Sequence, residues 1–208
     1  MKILHIDCSP RAHSHSRRLS TALVARLLMC NPGAAVIRRD LGRQPLPHAS
    51  AEYAETLSSP DALNADLAKV AVALSEELIN EIERSDVLVI GTPMNNFTVP
   101  SVLKAWIDQI LRMGRTMGVN DSGEKIGLLN DKLVYVAVAS GGVYTGERAN
   151  QPDFLTPYLV AALGCVGLTS IKFFPLQATA FLDDATIAAQ REQLLDTLPR
   201  PLAADLQY

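Results

Sequence analysis

Cysteine is scarce in this chain: Cys8, Cys30 and Cys165 are three among 208 residues, odd in number and far apart. A disulfide framework needs pairs and a metal site needs ligands at short, fixed spacings, so neither follows from them. Long apolar runs are missing too. Nearly half the residues are hydrophobic (48%), yet no run reaches the roughly 20 residues of a membrane span. The strand-like Lys2-Ile3-Leu4-His5-Ile6 begins at once, which leaves no room for a signal peptide. Positive charge is not in excess. The formal net charge of −3 speaks against a nucleic-acid binder, and no acidic tail accompanies it. A reducing cytoplasm is the simplest compartment. Neither G-x-x-x-x-G-K-[ST] nor G-x-G-x-x-G occurs, which disfavours nucleoside triphosphates and a Rossmann dinucleotide. Internal repeats, low-complexity tracts and a clear domain boundary are absent. Residues 1–208 are read as one domain, long enough to bury most of its apolar surface in one core.

What is present is alternation. Val87-Leu88-Val89-Ile90 is a short apolar run that stops at Gly91-Thr92-Pro93. An irregular turn, Met94–Phe97, follows, and from Ser101 the apolar residues fall at helical spacing: Val102, Leu103, Trp106, Ile107, Ile110, Leu111. The same strand-then-helix pattern recurs along the chain. Strands are predicted at Lys2–Asp7, Ala35–Asp40, from Val87, at Lys132–Ala139 and at Ser170–Phe174. Helices are predicted at Arg17–Met29 (capped by Ser14 or Ser16), Asp61–Glu83, Ser101–Leu111, Asp153–Val166 and Asp183–Leu198, the last capped by Asp183 or Asp184 and closed by Pro199. Residues 41–60 read as loop, and Gly114–Asn130 is too long for an ordinary connection, so it reads as functional or interfacial. Such alternation implies an α/β fold, a doubly wound five-stranded parallel sheet of order 2-1-3-4-5 with helices on both faces.

In that order the loops after the first, third and fourth strands are neighbours. Ser9–Ser16 offers three hydroxyls and a helix N-terminus, which suits an anion such as phosphate; Arg11, Arg17 and Arg18 add positive potential. The competing account is a Ser-rich cap with exposed arginines. Met94–Phe97 supplies an apolar side chain, two amides and an aromatic ring, the mixture a flat heteroaromatic ligand needs, although a plain connecting loop would read the same. Ser140-Gly141-Gly142 brings bare backbone N–H groups close to a ligand, or simply makes a tight turn. Their coincidence at adjacent strand ends favours a ligand site. Cys8 reads as a packed thiol, His5 as structural, Trp106 as core, and His13 and His48 as loop residues without metal-ligand spacing. Tyr144 and Phe154 border the substrate pocket or serve a surface role.

The chain resembles the FMN-dependent NAD(P)H:quinone oxidoreductases that also reduce azo dyes, the FMN-dependent NADH-azoreductases, over nearly its whole length. The residues that carry the resemblance are S-P-R-x-x-S-x-S at Ser9–Ser16, G-T-P-M-x-N-F at Gly91–Phe97 and L-K-A-W-I-D at Leu103–Asp108. They continue with R-x-G-R-T at Arg112–Thr116, S-G-G-V-Y at Ser140–Tyr144, and T-P-Y-L with G-x-x-G across Thr156–Gly167. The resemblance implies a flavodoxin-like fold and bound FMN. Ser9, Ser14, His15 and Ser16 would hold its phosphate. Met94, Asn95, Asn96 and Phe97 would line its isoalloxazine, and Ser140, Gly141 and Gly142 its pyrimidine edge. It implies NADH or NADPH as donor, quinones or azo compounds as acceptors, ping-pong hydride transfer through flavin N5 and no catalytic side chain. It also implies a homodimer, with the helices after Ser101 and around Thr156–Leu163 at the contact and Gly114–Asn130 beside the substrate. Two departures stand out: Asn95 sits where the family often has an aromatic residue, and Ala139-Ser140 where its last loop commonly reads S-R. A flavodoxin-type electron carrier and a flavin- or nucleotide-binding regulator are the rival readings.

Overall fold

The computed structural model describes residues 1–58 and 66–198. Five strands form one parallel sheet: β1 (Lys2–Asp7), β2 (Ala35–Asp40), β3 (Val87–Pro93), β6 (Leu133–Ala139) and β7 (Ile171–Leu176), in the order β2-β1-β3-β6-β7. Counted within the sheet this is 2-1-3-4-5, as the alternation predicts. β1, β3 and β6 are the inner strands, and their residues are covered on both sides. That is why they read as unbroken apolar runs instead of alternating ones.

Side-chain alternation along the strands divides the interior in two. Leu4, Ile6, Leu88, Ile90, Val134 and Val136 point to one face. There they meet α4 (Ala73–Glu83), α5 (Ser101–Ile110) and α6 (Thr156–Cys165) through Leu78, Ile82, Trp106, Ile107, Leu159 and Leu163. Ile3, Val87, Val89, Tyr135, Ala137 and Phe174 point to the other. They pack on α1 (His15–Cys30) and α7 (Asp184–Leu195) through Leu19, Leu23, Ile187 and Leu195. Each fully buried aliphatic or aromatic side chain contributes roughly 1.5–3 kcal/mol. Trp106 is wholly buried, as its place on the apolar stripe implies.

The caps resolve as Ser14 for α1, whose side chain accepts from Arg17 N, and Asp183 for α7, which accepts from Thr186 N at 2.7 Å. Some segments differ from the sequence reading. A helix, α2 (Ala51–Ser58), lies inside the stretch read as loop; it buries only Tyr53 and Thr56, too few to produce a periodic signal. The long predicted helix 61–83 is two pieces among the described residues, α3 (Asp66–Ala71) and α4, and its first residues, 61–65, lie outside them. The chain breaks at Val72, which is buried, while Val70 is 76% exposed, so the apolar stripe changes phase there. Pro199 also lies outside the described residues. The segment 114–130 folds into an antiparallel hairpin, β4 (Met117–Val119) and β5 (Lys125–Gly127). No helix among the described residues is long and apolar enough to cross a membrane.

Candidate active site

The loop after β1 is built from below. Arg17, one residue into the helix from Ser16, is buried. Its Nε and Nη2 donate to the carbonyl oxygen of Ser9 at 2.8 and 2.6 Å, and Nη1 donates to Asp40 Oδ2 at 2.8 Å. Nη1 also lies 3.3 Å from Asp7, which is fully buried. Burial alone would raise the pKa of Asp7. Its contact with His5 and its hydrogen bonds from Arg38 and Ser20 outweigh that and hold the carboxyl at about 2. So Arg17, read from sequence as a source of positive potential for a ligand, is committed to two carboxylates and fastens the loop to the sheet. His5 has a structural place in the same network, with Nε2 3.0 Å from Ser20 Oγ. Cys8 is fully buried; burial, then the charge of Asp7, push its thiol up, which leaves a packed and unreactive group.

Above this base the first turn of α1 faces outward. Ser14 Oγ accepts from Arg17 N at 3.3 Å. The N–H groups of His15 and Ser16 have no acceptor among the described residues. Free first-turn N–H groups with the positive end of the helix dipole favour an anion. His15 Nδ1 is buried without a partner. Burial first, and then the charge of Arg18, push the His15 pKa below its ordinary value, so the ring is uncharged at neutral pH.

The second loop is a tight reverse turn. Asn95 and Thr98 exchange backbone hydrogen bonds at 2.9 and 3.0 Å, and the two residues between them are left-handed: Asn96 at φ 48° and Phe97 at φ 70°. Asn tolerates that region; for Phe it is strained, a feature that clusters at functional sites. The turn is held in place by Phe154, whose N–H donates to the Phe97 carbonyl at 3.0 Å.

The third loop is braced from two sides. Ala178 N donates to Gly142 O at 3.0 Å, Ala180 N to Gly141 O at 3.3 Å, and Thr179 N and Oγ1 to Ser140 O at 3.0 Å each. The carbonyls are therefore occupied and turned toward 178–180. The N–H groups of Gly141 and Gly142 have no acceptor among the described residues. On the other side Gln151 Nε2 donates to Ser140 Oγ at 2.9 Å and contacts Met94 Sδ at 3.2 Å, which ties the second loop to the third. A Cβ on Gly142 would lie 2.3 Å from Gln151 Oε1.

All three loops open on one cleft of about 440 Å³. Ser9, Ser14, His15 and Ser16 line it from the first, Met94 and Asn95 from the second, and Gly141 from the third. The other expected residues sit around it. Asn96 and Phe97 are exposed at the tip of the turn, Ser140 is buried behind Gly141, and Gly142 faces Gln151. Phe154 is 61% exposed beside the turn, whereas Tyr144 is only 5% exposed and packs beneath its own loop. Thr179 and Ala180, which follow β7, also line the cleft. Sequence reasoning missed them, because Gln177-Ala178-Thr179-Ala180 carries neither glycine nor a hydroxyl cluster. The position of that loop beside the fourth strand's loop was the available signal.

A family of flavodoxin-like fold matches residues 1–198, so the chain is a flavodoxin-like protein. It is 47% identical to FMN-dependent NADH:quinone oxidoreductase 4 of Pseudomonas fluorescens (strain Pf-5), across 91% of this chain and 90% of that one. It is 45% identical to FMN-dependent NADH:quinone oxidoreductase 5 of Burkholderia lata, across 92% of each. Within the flavodoxin-like proteins this chain belongs to the FMN-dependent NADH:quinone oxidoreductases. Among solved structures, an azoreductase from Bacillus anthracis str. Sterne superposes with a TM-score of 0.82 at 24% identity, covering 95% of this chain and 98% of that one. An FMN-dependent NADH-azoreductase from Bacillus anthracis str. Ames Ancestor in complex with FMN gives 0.78 at 20% identity, over 94% and 96%. At those identities the likeness is one of fold.

Proposed function

We propose that this chain is an FMN-dependent NAD(P)H oxidoreductase that reduces quinones and azo compounds two electrons at a time, by ping-pong turnover. The observation that supports it best is chemical: unpaired N–H groups at both ends of one cleft, phosphate-type donors at His15–Ser16 and bare amides at Gly141–Gly142, with Met94 and Asn95 between. That spacing of donors suits a ligand with an anionic tail and a flat polar-edged ring, so the residues fit FMN. When bound, FMN supplies hydride exchange at N5, accepting from NADH or NADPH and donating to the acceptor.

The protein's part is binding and placement. The hydroxyls of Ser9, Ser14 and Ser16 and the N–H groups of His15 and Ser16 hold the phosphate. Met94, Asn95, Asn96 and Phe97 line the ring system. Gly141 and Gly142 present N–H donors where negative charge develops, which is preorganised electrostatic stabilisation; Ser140, whose own N–H is bonded to Leu176 O, lines the pyrimidine edge behind them. Phe154 borders the acceptor, with Tyr144 beneath. No side chain acts as an obligatory acid or base; water or a nearby side chain supplies the proton. Exposed Met113, Val119, Leu128 and Val160 support a homodimer joined through α5, α6 and the hairpin, working in the cytoplasm.

Anaerobic titration of the purified yellow protein with NADH and NADPH tests the reading. Complete bleaching without a semiquinone, followed by reoxidation with a quinone and parallel double-reciprocal plots, is expected. A stable semiquinone that neither nicotinamide produces directly would instead identify a one-electron carrier.

A further inference from the structure

The described surface holds a second large concavity, about 610 Å³, which shares no lining residue with the flavin cleft. It lies on the other flank of α1, between that helix, the end of β2 and α7. Its walls carry arginines from every side: Arg17 and Arg18 on α1, Arg38 and Arg43 at and after β2, and Arg191 on α7. In a chain of net charge −3 this is a local reversal of sign. Arg17 and Arg38 are held by Asp7 and Asp40, and Arg191 has Glu192 at 3.8 Å. Arg18 and Arg43 are exposed and form no salt bridge among the described residues. Five guanidinium groups thus face three carboxylates, and two of those carboxylates lie behind the wall. The charge also reaches beyond the groove: Arg18 and Arg191 both contribute to lowering the pKa of His15. The remaining lining is small or polar: Ala12, Thr21, Ala22 and Ala25, with Glu192 beside Arg191.

We propose that this groove is a second anion site, for a diphosphate group. Guanidinium forks suit phosphate oxygens better than any other side chain, because each can donate two parallel hydrogen bonds. Unmatched charges on α1 and on the turn after β2, with Arg191 of α7 opposite, surround a ligand wider than one phosphate. The volume is that of a small-molecule site. Two sources share this chemistry: a free diphosphate or nucleoside diphosphate, and the diphosphate bridge of a nicotinamide dinucleotide. The site stands independently of the flavin reading, since it uses none of the cleft's residues.

The test uses the full chain saturated with FMN, so that the phosphate loop is filled. Inorganic pyrophosphate and ADP are titrated by calorimetry at low salt, against the wild type, Arg18→Ala/Arg43→Ala and Arg18→Lys/Arg43→Lys. One site per chain is expected. The alanine pair should weaken it by roughly tenfold or more and the lysine pair by less, because lysine keeps the charge and loses the fork. No binding at millimolar pyrophosphate, or equal affinity in the alanine pair, overturns the proposal. Steady-state kinetics separate the sources. If pyrophosphate competes with NADH and the alanine pair raises the KM for NADH, the groove takes the donor's bridge. If pyrophosphate binds without competing, it takes a free phosphorylated ligand.

Discussion

Gly42 makes no contact with the flavin cleft, yet its replacement by alanine should damage it. A Cβ at that position would lie 2.1 Å from the Ser9 carbonyl oxygen, 2.3 Å from its carbon and 2.8 Å from the Pro10 nitrogen. These are backbone atoms that no rotamer change can clear. Ordinary contact begins near 3.4 Å, so the oxygen must retreat by more than an ångström. The same oxygen accepts both Arg17 bonds, at 2.8 and 2.6 Å. Hydrogen bonds to a charged group contribute about 1.5–3 kcal/mol each, and overpacking typically costs about 1–3 kcal/mol. With partial relaxation a total near 3 kcal/mol is a fair expectation. If the strain stays in the free protein, Tm falls by about 6–12 °C for a chain of this size. If the free loop relaxes and flavin must restore it, affinity falls by about a hundredfold. Thermal melts with and without FMN, together with a flavin fluorescence titration, read both quantities. A Gly42→Ala protein with unchanged melting temperature and unchanged flavin affinity would refute the idea that Ser9 is held from beneath.

Gln151→Ala should loosen Met94 and Ser140 together and weaken flavin binding about three- to tenfold with little change in Tm; fluorescence titration checks it, and Gln151→Asn, too short to span both, should not rescue. Asp7 holds a folded pKa of about 2 against about 3.9 in an unfolded chain. Its ionisation therefore stabilises the fold by about 2.5 kcal/mol above pH 4, and that contribution is lost as pH falls through 2. Urea midpoints measured from pH 7 down to 2 should show the loss in the wild type and not in Asp7→Asn, which is already destabilised at neutral pH because Arg38 loses its carboxylate. Gly164 lies within α6, and a Cβ added to it would meet nothing within 4 Å. Gly164→Ala should therefore raise stability by about 0.5–1 kcal/mol; a lower Tm would mean that a second copy packs there.

The sheet was legible because its inner strands are apolar on both sides and end abruptly in polar loops. Val87–Ile90 and Leu133–Ala139 are such runs; right-handed crossovers pointed to the doubly wound family, and the order of strands is that family's. The cleft was legible where hydroxyls and glycines cluster, at 9–16 and 140–142. What escaped depended on direction in space. Arg17 and Arg18 are adjacent in sequence, yet helical geometry turns one inward to Asp7 and Asp40 and leaves the other in solvent. Gln151 lies in a polar stretch with no pattern, and its role exists only because two distant loops pass within its reach. The α2 helix is held chiefly by Tyr53, and one buried aromatic makes no period.

At Gly127 and Gly167 two stretches of main chain touch: a Cβ on the first would sit 2.0 Å from the nitrogen of the second. The β4–β5 hairpin is thereby riveted at its base, where Leu129 N also donates to Val166 O at 3.0 Å, while among the described residues its tip at 120–124 is bound only to itself through Asn120. Evolution or an engineer can lengthen, shorten or recharge that tip without disturbing the platform that carries it.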